Sequence, residues 1–293
     1  MSLSDVSRFV RCNVPLAMYS RLQLGGKAEF FAEPETETDL TALLRYCSEK
    51  QIPVHVLGTG ANILVPDDGV AGLTLVLSRP AFNNIIVDGQ RITAGGGTKF
   101  GQIITQSVVS GLGGIEGLIG IPGTFGGVLS GNSGTNAAGD IGQWVESVCI
   151  ADFSGCTSDI PRRDITFAYR DSSLDDAVIL SATLHLDRDA PKELAKRMQK
   201  IWIVRKTQQP TGELPSIYPF KNPAGGVNAG DLIDQAGLRG TKVGGANVSE
   251  RNAGFIVVKP DCSSNDVVRL IRLIKDEVAN LTEIELETAL QIW

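Results

Sequence analysis

The chain holds 33 glycines, and they are unevenly placed. Clusters stand at 58–62, 95–97 and 120–127, each behind a run that reads as a β-strand. Glycine reaches positive φ without steric cost and lets the backbone approach another group closely. Successive exposed N–H groups form a concave nest suited to an anion such as a diphosphate. One isolated cluster would read as a tight turn. Three, one of them spelling Ile121-Pro122-Gly123-Thr124-Phe125-Gly126-Gly127, point to binding. The pattern is not that of a Rossmann site. No G-x-G-x-x-G links a strand to a helix with an acidic residue about 20 positions later, and no G-x-x-x-x-G-K-[ST] is present. Gly58-Thr59-Gly60 runs through Asn62 into a second apolar stretch, Ile63-Leu64-Val65, instead of a helix.

Periodicity places the rest of the chain around these loops. Residues 38–50 read as an amphipathic helix with Thr38 as N-cap, and residues 99–111 as a helix stopped by Gly111. Strand patterns cover Val54–Leu57, most of 73–95, then 145–153 and 177–187. A helix over 190–206 carries a basic face read as solvated. Residues 210–223 form a proline-punctuated loop and a domain boundary. Beyond it the pattern predicts a helix over 230–237, a glycine-rich stretch over 240–254, a strand over 254–259, a helix over 264–280 with Val267, Leu270, Ile271, Ile274 and Val278 buried, and a closing strand Ile284–Ile292. Frequent hairpins among alternating helices and strands favour α+β over a doubly wound parallel sheet. Three consecutive segments are expected: residues 1–75, 76–209 and 210–293.

Composition excludes several functions. The formal net charge of −6 is spread along the chain, so neither nucleic acid nor an anionic membrane surface is an expected partner. Apolar residues make up 42%, but none of their runs reaches the ~18 residues of a membrane span. The start, MSLSDVSRFVRCNV, lacks the continuous apolar core of a signal peptide. The five cysteines are scattered and odd in number, which argues against a disulfide framework and for a reducing cytoplasm. His55 and His185 both stand in strand-like runs, and no metal site is expected.

Several motifs, in order and at matching spacing, give the chain a family resemblance. Leu57–Val65 (LGTGANILV), Gly120–Gly127 (GIPGTFGG), Phe167–Ser172 (FAYRDS), Phe220–Pro223 (FKNP), Ala236–Gly240 (AGLRG) and Gly244–Phe255 (GGANVSERNAGF) together resemble the UDP-N-acetylenolpyruvoylglucosamine reductase family. The likeness runs from Leu24 to Trp293. It implies a vanillyl-alcohol-oxidase/PCMH-type FAD-binding fold in two subdomains that sandwich the cofactor, plus a smaller α+β substrate domain whose C-terminal strand returns toward the active site. It implies non-covalent FAD, NADPH as reductant, and hydride transfer to an enolpyruvyl UDP-sugar, giving UDP-N-acetylmuramate for the cell wall. No obligate protein partner is implied. The flavin supplies the redox chemistry and the protein supplies orientation and charge stabilisation.

Carried over residue by residue, the resemblance assigns FAD to Gly58, Thr59, Gly60, Ala61, Asn62 and Ile63 in the first loop, with Ala61 where a serine is usual. In the second it assigns Gly120, Pro122, Gly123, Thr124, Gly126 and Gly127, followed by Asn132 and Gly134. Tyr169-Arg170 match a Tyr-Arg pair whose guanidinium stabilises the enolate. A planar fork suits a carboxylate, although a surface pair with Asp171 is the plainer reading. Lys221 and Asn222, with Arg205, resemble contacts to the UDP-sugar; as loop residues, the first two could equally cap a helix. Two positions depart from the pattern. Counting back from Phe220 puts Tyr218 where the family has its proton-donating serine, and Ala289 stands where it has a second glutamate. Asn252 and Val258 differ as well. The chain is therefore expected to be either a reductase in which Tyr218 gives the proton, or an FAD-binding protein of the same fold with lost or altered chemistry.

Overall fold

A computed structural model describes residues 7–210 and 214–293. The chain divides into two compact units, both discontinuous in sequence, where three consecutive segments are expected. Of the described residues, the first gathers those within 1–14, 29–59 and 71–203, and the second those within 15–28, 60–70 and 204–293.

The first unit is built on two sheets. In the four-stranded sheet the order is Val10–Pro15, Lys27–Ala32, Val70–Leu75, Val54–Val56, the last two pairing in parallel. Helix α1 (Glu37–Lys50) buries Leu40, Leu43, Leu44 and Cys47, the i, i+3, i+4, i+7 positions that the sequence marks. Its N-cap is Thr36, two residues before the predicted Thr38, because the Thr36 hydroxyl is the one that accepts from the Asp39 N–H. Gln51 then closes the helix in a left-handed conformation. The five-stranded sheet is antiparallel throughout, in the order Thr157–Pro161, Val145–Asp152, Ala177–His185, Arg91–Gly95, Ile85–Asp88. Helix α2 (Phe100–Val109) and the short helix α3 (Phe125–Ser130) pack into its core, where the Phe100 and Phe125 rings lie parallel, 6.3 Å between centroids. Helix α4 (Pro191–Gln208) follows. Its Arg197 reaches Glu116 and Asp189, so this member of the basic face is paired and not simply solvated.

The second unit holds a four-stranded antiparallel sheet in the order Ser216–Ile217, Ile256–Val258, Ala246–Val248, Lys242–Val243. It packs with helices α5 (Ala229–Gln235) and α6 (Ser264–Thr282). Helix α6 opens on a capping box in which Ser263 and Asp266 satisfy each other's backbone N–H groups. The 210–223 segment is more ordered than a loop reading implies, since Ser216–Ile217 joins the sheet; residues 211–213 lie outside the described residues. The closing strand predicted over 284–292 is not formed. Only Gln291–Ile292 is a strand, parallel to Ile63–Leu64, while Leu286 and Leu290 are buried four residues apart. Among the described residues no helix is long and apolar enough to cross a membrane.

Among the described residues one buried side-chain group is left unsatisfied. The Thr74 hydroxyl is buried with no hydrogen-bond partner among the described residues. A buried polar group without a partner carries its full desolvation penalty. Thr74→Val keeps the shape and removes the hydroxyl, so the variant is expected to be about 1 kcal/mol more stable, raising the melting temperature by roughly 2–4 °C. Thermal melts of the two proteins compare this directly.

Candidate active site

Two of the three glycine clusters meet. A Cβ on Gly58, in the first loop, would stand 2.5 Å from the Thr124 hydroxyl in the second. Thr124 caps α3 by accepting from the Gly127 N–H, and an isolated bridge from Lys99 to Thr124 holds the loop in place. Around this junction Thr59, Gly120, Pro122 and Gly127 are exposed. Gly123 has φ +143° and Gly120 φ +90°, conformations that favour glycine. A Cβ at Gly127 would meet its nearest neighbour at an ordinary 3.5 Å, so chain packing does not demand glycine there. An exposed glycine with room beside it, as at Gly127, is what close approach of a diphosphate to backbone N–H groups requires. The two loops therefore fit FAD.

The third cluster adjoins the second but serves packing. Cβ atoms on Gly95, Gly96 and Gly97 would overlap the carbonyls of Phe82, Ile179 and Leu77. Those glycines let strands and turns pack, and Gly126 shares in this, since its N–H bonds the Gly96 carbonyl at 2.8 Å. Gly60, at φ +60°, is likewise packed against the backbone of Tyr19 and Ser20.

Three of the residues assigned to the cofactor have their side chains or backbones engaged elsewhere. Asn62 donates to the Ala289 carbonyl at 2.7 Å, and its own carbonyl accepts from the Gln291 N–H at 3.0 Å. It thus ties Ala61 and Ile63 to the C-terminal segment. Asn132, 3% exposed and at φ +38°, donates to the Ala168 carbonyl at 2.7 Å and accepts from the Gly142 N–H at 3.0 Å. Gly134 is glycine because a Cβ would collide with Asp140 and Gly139.

Tyr169 and Arg170 form the turn between the short strands Phe167–Ala168 and Asp171–Ser172. Arg170 has φ +58°, a left-handed conformation that costs a non-glycine residue roughly 1–2 kcal/mol. Its guanidinium donates to the Gly134 carbonyl at 2.7 Å, lies 3.5 Å from an Asp140 carboxylate oxygen, and sits 5.1 Å from the Tyr169 ring centroid. Asp140, not the neighbouring Asp171, is thus its acidic contact. Burial pushes the Asp140 carboxyl above its ordinary range, with Arg170 pulling the other way.

In the second unit Tyr218, Asn222 and Asn228 form one cluster. The Tyr218 hydroxyl lies 3.1 Å from Asn222 Oδ1 and 3.2 Å from Asn228 Oδ1. Each of these oxygens also accepts a backbone N–H at the start of α5, from Ala229 and Gly230 respectively. The amide of Asn222 therefore caps a helix, one of the readings the sequence leaves open. The Tyr218 ring packs edge-on to Phe255 at 5.2 Å, and a Cβ on Gly254 would strike it. Lys221 is bound to the C-terminal segment twice, by its N–H to the Glu287 carbonyl at 2.9 Å and by Nζ to the Glu287 carboxylate at 3.4 Å. Arg205 stands in the last turn of α4, where burial lowers its pKa. Ala289 is fixed by its N–H to the Pro219 carbonyl. Sequence reasoning missed Asp140, Asn228 and the Lys221–Glu287 pairing. Only Asn228 carried a local signal, as an asparagine before a helix.

Fold and loops together define a protein of the FAD-binding class, and residues 28–157 match the domain described as "FAD binding domain". Residues 209–293 match "UDP-N-acetylenolpyruvoylglucosamine reductase, C-terminal domain". The chain is 36% identical to the UDP-N-acetylenolpyruvoylglucosamine reductase of Rhodopirellula baltica over 289 residues, 99% of this chain and 94% of that protein. It is 36% identical to that of Moorella thermoacetica, covering 97% and 93%. The crystal structure of the reductase from Thermus caldophilus superposes with a TM-score of 0.84 at 31% identity, over 97% of this chain and all of that one. The chain belongs to the UDP-N-acetylenolpyruvoylglucosamine reductase family.

Proposed function

We propose that the protein is a flavin-dependent reductase of enolpyruvyl-UDP-N-acetylglucosamine, using NADPH and forming UDP-N-acetylmuramate for peptidoglycan. The observation that carries this reading is the pairing, in one chain and in order, of an FAD-binding domain with the reductase C-terminal domain. The protein's five cysteines are all free, which suits a reducing compartment, so the cytoplasm is its place of work. FAD, when bound, would supply the redox chemistry that connects NADPH to the enolpyruvyl double bond. Gly58, Thr59, Gly120, Gly123, Thr124 and Gly127 would hold it, with Gly126 and Gly60 shaping their loops. Arg170 presents a planar cation to the substrate carboxylate and opposes the charge that builds there as the enolate forms. Lys221, Asn222, Tyr169 and Arg205 are the groups for the UDP-sugar, and residues 210–293 form the substrate domain. Tyr218 holds the proton, on Oη.

A second reading, FAD binding with altered chemistry, is favoured by one observation. Tyr218 has a single hydroxyl proton, and it lies within hydrogen-bond distance of two amide oxygens already fixed by backbone N–H groups. Delivering that proton to a substrate means leaving both. Anaerobic half-reactions separate the readings. On the first, NADPH reduces the flavin, the enolpyruvyl sugar reoxidises it, and UDP-N-acetylmuramate appears. Tyr218→Phe is then expected to keep flavin reduction and to lose roughly 10²-fold or more in product formation, the scale of a lost general acid. On the second, the variant's second half-reaction matches that of the parent, and only stability falls, by about 1 kcal/mol for the missing hydrogen bond.

A further inference from the structure

Arg170 is held by a frame that reaches back to the second glycine loop. The turn that carries it is pinned on both sides. Ala168 O accepts from Asn132 Nδ2 at 2.7 Å, and Ser172 Oγ donates to Ser130 O at 2.7 Å. The guanidinium is met by Gly134 O and by Asp140. Every one of these supports lies in residues 130–140, the segment that runs on from the last residue of α3. Gly134 and Gly139 allow the hairpin Gly134–Thr135/Gly139–Asp140 to bring Asp140 beside Arg170, because side chains there would strike Asp140 and Gln143.

We propose that Asp140 is a positioning residue. With the Gly134 carbonyl it aims the Arg170 guanidinium at the carboxylate of the substrate, without closing on it. The inference rests on the reductase reading above and adds a residue that reading does not assign. The geometry separates aiming from closing. An ionic hydrogen bond at full strength runs about 2.7–2.9 Å and is often bidentate. The Asp140 contact is a single one at 3.5 Å, so the guanidinium keeps donors for a ligand. An ordinary stabilising surface pair would lower the carboxyl's pKa. Here burial outweighs the attraction of Arg170 and the shift is upward. The unfolded carboxyl therefore ionises first, and the folded state loses stability as pH rises from the ordinary carboxyl range to the raised value. A charge kept at a net cost to folding, beside a residue in a left-handed turn, marks a site more often than a strut. For the same reason Asp140→Asn is expected to fold at least as well as the parent at neutral pH.

The test is a double-mutant cycle on the full-length, flavin-loaded protein, with Asp140→Asn, Asp140→Glu, Arg170→Ala and the Arg170→Ala/Asp140→Asn pair. Turnover and the equilibrium dissociation constant of enolpyruvyl-UDP-N-acetylglucosamine are both measured, so the cycle can be read even where turnover is slow. Arg170→Ala is expected to lose roughly 10²–10³ in kcat. Asp140→Asn is expected to lose about tenfold in kcat or substrate affinity, with flavin content and melting temperature unchanged or higher. Asp140→Glu recovers part of the loss, and the pair is no worse than Arg170→Ala alone. The proposal is overturned if Asp140→Asn matches the parent while Arg170→Ala is impaired, or if its loss persists in full without Arg170. Should Arg170→Ala itself match the parent, or the parent neither turn over nor bind the sugar, the reductase reading falls and this inference with it. That outcome is separate from a failure of Asp140 alone.

Discussion

Gly97→Ala is expected to destabilise the first unit by about 3 kcal/mol or more, the upper end of what overpacking costs, and to lower its melting temperature by roughly 6–12 °C. The added methyl would overlap the Leu77 carbonyl oxygen and come within 3.2 Å of Asn83 Oδ1. Neither neighbour can yield cheaply. Asn83 Nδ2 binds the Leu77 carbonyl at 3.1 Å and the Arg79 carbonyl at 2.7 Å, and the Gly97 N–H binds the Phe82 carbonyl at 3.0 Å. Moving any of these strips hydrogen-bond partners from polar groups, some of them half-buried, which adds a further penalty. Leu77, Phe82 and Leu180 belong to one core, so the strain reaches the sheet itself. The measurement is a denaturant melt followed by far-ultraviolet circular dichroism. A variant as stable as the parent would mean that the cluster 95–97 has slack, and that its glycines are free to serve a ligand.

The contrast among the clusters shows where sequence reading stops. In sequence, 95–97 looks as fit for an anion as 58–62. What separates them is that every glycine of 95–97 meets a carbonyl far along the chain, at Phe82, Ile179 or Leu77, whereas in 58–62 Gly60 does and Gly58 meets only the Thr124 side chain, a difference no local rule encodes. Helices α1 and α6 were legible because their buried positions recur at helical spacing, and only the cap of α1 slipped, between two threonines two residues apart. The end of the chain was misread for a related reason. Ile284, Leu286 and the glutamates that follow each of them alternate like a strand. Yet the backbone there is bound to the Pro219 carbonyl, Lys221 and Asn62, and a chain held by loops need not extend. Motif likeness located Arg170 and Tyr218 but not what surrounds them. Asp140 lies thirty positions from Arg170 and meets it only through a hairpin, and the amide oxygens around Tyr218 become visible only once α5 is in place.

Gly58→Val should separate cofactor binding from folding. We expect it to raise the dissociation constant for FAD by roughly 10²-fold or more, equivalent to about 2.7 kcal/mol, while costing far less stability than Gly97→Ala. The new side chain would begin 2.5 Å from the Thr124 hydroxyl, which is a side-chain atom able to move. Thr124 can rotate away at the cost of its cap on α3, typically about 1 kcal/mol. Relief by that route leaves the sheets untouched and ruins the junction between the two loops. The Gly127 N–H loses its partner, and branched carbon fills the space where a diphosphate would meet the backbone. Purified Gly58→Val is therefore expected to be folded, colourless as isolated, and yellow only at high added FAD, as a flavin fluorescence titration would read. Should it bind FAD as the parent does, the diphosphate does not pass the Gly58–Thr124 junction, and the cofactor residues must be sought on other backbone. Should it fail to fold, the junction is part of the core in the same sense as 95–97, and the milder Gly127→Ala, whose Cβ meets nothing closer than 3.5 Å, becomes the variant that decides.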